Sequence, residues 1–300
     1  MITVFTDIII IGAGPAGIQA AIHAARGKAK VVMLGKRMNS AMFGAHVENY
    51  FGIRGKADGS EILENGVHQA TGFGAEHIEE NVISMSRSGD TFTAVTENGK
   101  EISSKAVILA PGVSRMKLNV PGEKELFGKG VSYCAACDCN FYKGKRVAII
   151  GDESEAAASA ELMTKYASNV YWITKDTKAS EFMIEKARNA GAEMTGERPI
   201  EIIGKEKVTG LKLSDGSILN VDGVFIELGA RSSSDLAMDI DVMPNADGTI
   251  NVDEKCKTSV SGIYACGDVT GRPWQIAKAV GQGAVAGMSA ASHIKGEKDA

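Results

Sequence analysis

No apolar run in the chain reaches about 18 residues, the length of a bilayer-spanning helix, so neither a membrane anchor nor a membrane partner is expected. No block of like charge is present either. The 33 basic and 37 acidic residues leave a net charge of −4, which excludes the basic face of a nucleic-acid binder. The N-terminus enters a strand at once, without a basic leader and cleavage site, and a cytoplasmic location is expected. Cysteine is scarce, at five residues in 300. No second ligand pair stands at zinc-finger spacing from the one close pair, so no metal is expected. What is present is ample apolar material, 44% of the chain. The length suits about two domains, and 35 glycines suit tight strand-to-helix turns.

Three of the five cysteines fall in the stretch Val131-Ser132-Tyr133-Cys134-Ala135-Ala136-Cys137-Asp138-Cys139. Cys134 and Cys137 form a Cys-x-x-Cys pair, a spacing that closes a small disulfide ring, lowers a thiol pKa and favours exchange chemistry. Asp138 follows directly and offers a carboxyl that passes a proton to or from the adjacent sulfur. Metal ligation and a buried structural disulfide are the competing readings. The first lacks its second ligand pair. The second gains little, because so short a loop restrains the unfolded chain least. In a reducing compartment a close pair points to catalysis over structure. Cys139, Cys256 and Cys266 read as packed thiols.

Asp7-Ile8-Ile9-Ile10-Ile11 reads as a strand buried on both faces, as in a parallel sheet. Gly12-Ala13-Gly14-Pro15-Ala16-Gly17 and an Ala-rich helix follow. This is the G-x-G-x-x-G fingerprint in its required setting, after a strand and opening a helix. Gly12 permits the tight turn, Gly14 lets backbone approach a pyrophosphate, and Gly17 lets helix and strand pack closely. The phosphates would rest on the helix N-terminus. The second strand ends in Leu34-Gly35-Lys36, without the acidic residue that normally holds the adenosine ribose. Further on, periodicity predicts a helix over 60–75 with Ser60 as its N-cap. Strands are expected at 75–84, 91–96 and 101–110, with Asn98-Gly99 as a hairpin turn.

The strand–turn–helix–strand unit then repeats, with Gly151 in the place of Gly12. Only that first glycine survives. Glu153 stands where the second glycine belongs, and Asp152, Glu153 and Glu155 put three carboxylates at the helix N-terminus. They satisfy the dipole themselves and repel phosphate, so this turn reads as Rossmann-like structure without a nucleotide. Short strands and hairpins follow over 200–228, a linker at 241–247, then a strand running into Gly267-Asp268 and an Ala/Gly-rich helix over 275–293.

Gly12 to Gly17, Cys134-Ala135-Ala136-Cys137-Asp138 and Tyr264-Ala265-Cys266-Gly267-Asp268-Val269, in that order, resemble the low-molecular-weight thioredoxin reductases. Val47-Glu48-Asn49-Tyr50 and Val120-Pro121-Gly122-Glu123 look like that family too, and the resemblance covers nearly the whole chain. It implies an α/β fold of two Rossmann-like three-layer domains. A discontinuous FAD-binding domain at 1–115 and 246–300 would be interrupted by a smaller inserted domain at 116–245 carrying the Cys-x-x-Cys. It implies FAD on Gly12, Gly14, Pro15, Ala16, Gly17, Gly35, Lys36, Asn49, Val82, Ala110, Gly112, Gly267, Asp268, Gln275, Ile276 and Ala277. Cys134, Cys137 and Asp138 would be catalytic, thioredoxin the protein substrate, and a homodimer the usual state.

Departures from the family bear on the electron donor. Its members hold NADPH with a glycine-rich turn and an arginine-bearing cluster after the next strand, where the bidentate guanidinium suits the 2′-phosphate. Here that stretch is Thr174-Lys175-Asp176-Thr177-Lys178, without arginine. NADPH is therefore not expected to bind. The chain resembles the pyridine-nucleotide-independent branch, in which reduced ferredoxin is the donor; a deazaflavin donor is a known variation. The Gly-Gly-Gln turn usual before the Glu-Asn-Tyr loop is also replaced, by Met38-Asn39-Ser40-Ala41. The alternatives are an NAD(P)H-dependent thioredoxin reductase with an atypical cofactor site, and a flavin redox sensor that does not turn over.

Overall fold

In the computed structural model, residues 3–112, 117–228 and 233–296 are described. Chain contacts divide them into one unit at Met1–Val113 with Ser232–Ala300, and a second at Ser114–Arg231. The first unit opens with β1 (Thr3–Phe5), β2 (Ile8–Ile11), α1 (Pro15–Arg26) and β3 (Val31–Leu34). It continues through β4 (His46–Val47), β5 (Ala57–Asp58), α2 (Gly59–Gly72), β6 (Glu76–Ile78), β7 (Val82–Ser88), β8 (Thr91–Thr96), β9 (Glu101–Ser104) and β10 (Ala106–Leu109). The second unit contains β11 (Val131–Ser132), α3 (Ala135–Asp138), β12 (Arg146–Ile150), α4 (Ser154–Met163), β13 (Asn169–Ile173), α5 (Glu181–Asn189) and β14 (Glu193–Thr195). It ends with β15 (Pro199–Gly204), β16 (Val208–Leu213), β17 (Ile218–Leu219) and β18 (Gly223–Ile226). The chain returns to the first unit with α6 (Ser233–Met238), β19 (Ile263–Ala265) and α7 (Ile276–Lys295).

Four isoleucines in a row suit a strand covered on both faces. β2 is that strand, central in the parallel sheet β19-β10-β2-β3-β6, with Ile8 to Ile10 fully buried and Ile11 at 3% exposure. Side chains alternate along the strand, so Ile8 and Ile10 join one core with α1 and α7. Ile9 and Ile11 join another with Phe92 and Ile102. α7 lies against α1 because its glycines allow backbone contact. A Cβ at Gly283 would stand 2.3 Å from Ala16 O, and one at Gly287 2.4 Å from Ala20 O. A second sheet, β1-β9-β8-β7, and the short pair β4-β5 belong to the same unit.

In the second unit β12 is central to the parallel sheet β11-β18-β12-β13-β14. That is the same arrangement about the same kind of strand, and it bears out the repeat read from the sequence. A three-stranded antiparallel sheet, β15-β16-β17, adds Ile202, Val208 and Leu211 to its core.

The structure adjusts several expectations. The N-cap of α2 is Asp58 instead of Ser60: its Oδ1 accepts from Ser60 N at 2.8 Å and Ser60 Oγ at 2.7 Å. The single strand expected over 101–110 is two, β9 and β10, in different sheets. The stretch expected to be a linker at 241–247 lies inside the first unit. Leu236, Ala237, Ile240 and Val242 are buried with Met85 and Phe92, and Met85 N donates to the Asp239 carboxylate at 2.9 Å. Residues 236–242 thus pack with the first unit, inside the range expected for the inserted domain. The expected boundary at 115–116 falls outside the described residues.

Candidate active site

In the first unit the fingerprint turn sits at the C-terminal end of β2, where strand order reverses and open α/β sheets hold ligands. Gly12 has φ +110°, and a Cβ there would meet Ala110 O at 2.3 Å, so the end of β10 forces glycine. A Cβ at Gly17 would meet Gly12 O at 1.9 Å, the close helix-to-strand approach expected of that position. Gly14 differs: its nearest neighbour is Ser40 Oγ at 3.3 Å. The protein's own atoms press on it least, as a glycine kept clear for a ligand requires. Gly14 is the N-cap of α1, Pro15 opens the helix, and among the described residues no side chain caps it. Its first-turn N–H groups are thus presented at a helix end that favours an anion.

Gly35, at φ +141°, packs on this turn, where a Cβ would stand 3.1 Å from Ala13 N, and its carbonyl meets His77 Nε2 at 2.9 Å. Lys36 pairs with Glu97 at 2.9 Å. Glu97 is only 2% exposed and also accepts Asn81 N at 2.8 Å. Lys36 therefore has a buried countercharge, and Val82 begins β7 beside this cluster. Asn39 Nδ2 donates to Asn81 Oδ1 at 3.1 Å. Asn81 Nδ2 is buried without a partner among the described residues. Gly112, at φ +75°, closes the turn after Ala110.

The Gly267-Asp268 turn reaches the same place, since a Cβ at Gly267 would stand 2.8 Å from Ala16 Cβ. Asp268 Oδ1 is buried without a partner among the described residues. Burial raises its carboxyl above the usual range, against the opposing charge of Lys278. Lys278 Nζ donates to the carbonyls of Gly267, at 3.1 Å, and of Gly271. Gln282 holds the turn from α7, its Oε1 accepting Gly267 N at 3.0 Å and Thr270 Oγ1 at 2.9 Å. At the head of α7, Gln275 is the N-cap, Ile276 and Ala277 open the helix, and Asn49 Nδ2 donates to Gln275 Oε1 at 3.3 Å. The expected cofactor residues thus gather at one sheet edge and at the head of α7. Sequence reasoning missed Gln282, His77 and Glu97. A lone glutamine among the small residues of α7 was the one available signal. FAD fits this cradle: the open Gly14 turn suits a pyrophosphate, and the orphaned Asp268 acceptor suits a hydroxyl donor such as a ribityl group.

In the second unit β11 leads into the redox motif. Cys134 and Cys137 are joined as a disulfide with Cα atoms 5.4 Å apart. Cys134 is the N-cap of α3, and its Sγ accepts from Cys137 N at 3.1 Å. Cys134 is half-buried, Cys137 exposed and Asp138 partly exposed. Ser132 Oγ accepts Cys134 N at 3.1 Å, and Glu227 Oε1 accepts Ala135 N at 2.8 Å. Glu227 was not singled out in the sequence. The three remaining cysteines are buried free thiols, as read. Cys139 Sγ donates to Ala136 O at 3.4 Å.

The second fingerprint-like turn is packed by its own protein. A Cβ at Gly151 would meet Glu227 O at 2.0 Å, and Gly151 O accepts from the buried Trp172 indole at 2.8 Å. Asp152 Oδ1 accepts Thr174 Oγ1 at 2.7 Å, and Asp152 O accepts Lys178 N at 2.6 Å. Ser180 N donates to Ser154 Oγ at 2.9 Å. Residues 174–180 are thereby tied down on the turn, with Glu153 at the N-cap of α4 and Glu155 buried in its first turn.

Comparisons with known proteins agree with this geometry. Residues 6–283 match the family described as pyridine nucleotide-disulphide oxidoreductase. The thioredoxin reductase of Aquifex aeolicus is 37% identical over 306 residues, spanning 97% of this chain and 94% of that protein. Among solved structures, the atypical thioredoxin reductase from Desulfovibrio vulgaris Hildenborough is similar at a TM-score of 0.84 and 34% identity, covering 97% and 99% of the two chains. A ferredoxin-flavin thioredoxin reductase from Clostridium acetobutylicum is similar at 0.71 and 32%, covering 99% and 100%. A fingerprint turn on the central strand, a surface Cys-x-x-Cys disulfide and near full-length similarity lead to one assignment: the chain belongs to the pyridine nucleotide-disulphide oxidoreductase family.

Proposed function

We propose that the protein is a flavin-dependent disulfide reductase that reduces thioredoxin, with reduced ferredoxin and not NAD(P)H as its electron source. The observation that carries the first part is the accessible Cys134–Cys137 disulfide at the head of α3. FAD, when bound, supplies the electrons for this disulfide. Gly12, Gly14 and Gly17 with the head of α1 would hold its pyrophosphate, and Asp268 a ribityl hydroxyl. Opened by two electrons and two protons, the pair becomes a dithiol. One thiolate attacks the thioredoxin disulfide, a mixed disulfide forms, and the second cysteine displaces it, regenerating the Cys134–Cys137 bond. Asp138, adjacent to Cys137, is the group assigned to move the proton.

The donor reading is supported by the second turn. Carboxylates stand at its helix head, and residues 174–180 are bonded to it where a nucleotide would need access. A homodimer in the cytoplasm is the proposed setting, with sedimentation velocity of the flavin-loaded protein as the check on assembly. One anaerobic titration tests the function. It compares NADPH, NADH, reduced ferredoxin and a reduced deazaflavin, following flavin absorbance and then thioredoxin dithiols. Bleaching by ferredoxin without response to pyridine nucleotides is expected. Prompt bleaching by NADPH or NADH overturns the donor and leaves an NAD(P)H-dependent reductase; a response to deazaflavin alone moves the source to that carrier. Bleaching that never yields thioredoxin dithiols leaves a flavin redox sensor.

A further inference from the structure

Glu227 is a titratable side chain that the exchange chemistry above does not use. It follows β18, and the parallel register of β11 on β18 pairs Val131 with Val224 and Ser132 with Phe225. Continued by two residues, that register sets Glu227 beside Cys134. The side chain confirms the placement, with Ala135 N–H donating to Glu227 Oε1 at 2.8 Å. Glu227 is 7% exposed, so its carboxylate acts on its neighbours with less screening than in water. Its backbone is fixed as well. Glu227 N donates to Ile150 O at 2.8 Å, and its carbonyl packs against Gly151, where a Cβ would approach to 2.0 Å. A residue anchored on both sides stays near Cys134 when the disulfide opens.

We propose that Glu227 is a positioning residue that makes the Cys134–Cys137 dithiol a stronger reductant; the inference deepens the disulfide-reductase reading and rests on it. In the half-reaction the S–S bond takes up two electrons and two protons and becomes two thiols. At working pH a favourable site converts one thiol to thiolate and so stabilises the reduced form. A fixed carboxylate on the amide that follows Cys134 disfavours that thiolate. A less stabilised reduced form has a lower potential. In the oxidised form the sulfurs carry no charge, and the Glu227–Ala135 bond holds the turn without opposing them.

The test equilibrates the flavin-loaded protein with dithiothreitol buffers of set dithiol-to-disulfide ratio. Each dithiothreitol that closes to its cyclic disulfide delivers the two electrons and two protons. Thiols at positions 134 and 137 are then alkylated and counted by mass. Glu227→Gln retains a carbonyl acceptor for Ala135 N–H and removes the charge. The equilibrium is expected to move about tenfold toward the dithiol, which converts to about 30 mV. An unchanged equilibrium overturns the proposal and leaves Glu227 as a structural acceptor. If the amide variant fails to fold, Glu227→Asp and Glu227→Ala put the same question: the charged variant is expected within about twofold of wild type and the neutral one about tenfold away. Equal constants for those two overturn it. Neither electron donor nor thioredoxin enters this equilibrium, so an error in the proposed donor or substrate leaves its outcome unchanged.

Discussion

Five cysteines meet two fates set by their surroundings, one disulfide and three buried thiols. Cys134 and Cys137 sit at a helix head near the surface and are bonded to each other. Cys256 is pushed up to about 11 by burial first and by the Asp253 charge second. Cys266, fully buried, is raised further by burial. Both therefore stay protonated and unreactive at physiological pH, since the thiolate is the nucleophile. Cys134→Ser or Cys137→Ser is expected to lower thioredoxin reduction roughly 10⁴-fold or more, the scale of losing a covalent nucleophile. Flavin content by absorbance should stay at the wild-type level. Loss of flavin from both variants would refute the separation between a cradle in one unit and a disulfide in the other. Cys134, Cys137 and Asp138 could be found in the sequence because their meaning lies in adjacency. Glu227 could not, because 92 positions separate it from the amide it binds.

Two helices opened by fingerprint-like turns show how neighbouring elements decide what such a turn is for. α1 begins at Gly14-Pro15, and its packing partner is α7, which approaches through Gly283 and Gly287. α4 begins at Glu153, and the segment after β13 bonds across its turn. Gly283→Ala would force a Cβ to 2.3 Å from Ala16 O. The expected cost is about 1–3 kcal/mol, read as a fall of several degrees in Tm, with weaker flavin retention because Ala16 lies in the turn itself. A variant with unchanged Tm and flavin content would show that α7 moves off α1 without consequence. The fingerprint strand and helix were legible because their pattern is local and dense in glycine. α5 and α6 were not read from the sequence. They are short, at 9 and 6 residues, and periodicity has few turns in which to show itself.

Two parallel five-stranded sheets, each centred on a strand that runs into a Gly-containing turn, give the molecule its duplicated plan. Each unit has its own apolar core: Ile202, Leu211, Val224 and Ile226 in the second, and Ile8 and Ile10 of β2 with Tyr264 in the first. Residues 114–231 expressed alone are therefore expected to fold. The checks are one cooperative thermal transition and a Cys134–Cys137 disulfide intact by mass. A non-cooperative melt would show that this core depends on the other unit. Among the described residues no helix is long and apolar enough to cross a membrane, in line with the composition.

The chain's order of residues by itself determined the motifs: the glycine turn after four isoleucines, the Cys-x-x-Cys beside Asp138, and three acids in the second turn. Each works through neighbours one to five positions apart, and such neighbours are written in the sequence. Tertiary structure alone decided the packing of residues 236–242 into the first unit, the seating of residues 174–180 on the second turn, the grip of Gln282 on the Asp268 turn, and the meeting of Glu227 with the redox helix. These depend on strand register and helix packing between segments far apart in the chain. Local pattern does not encode them, because a side chain's partner is chosen only when the sheets and cores have formed.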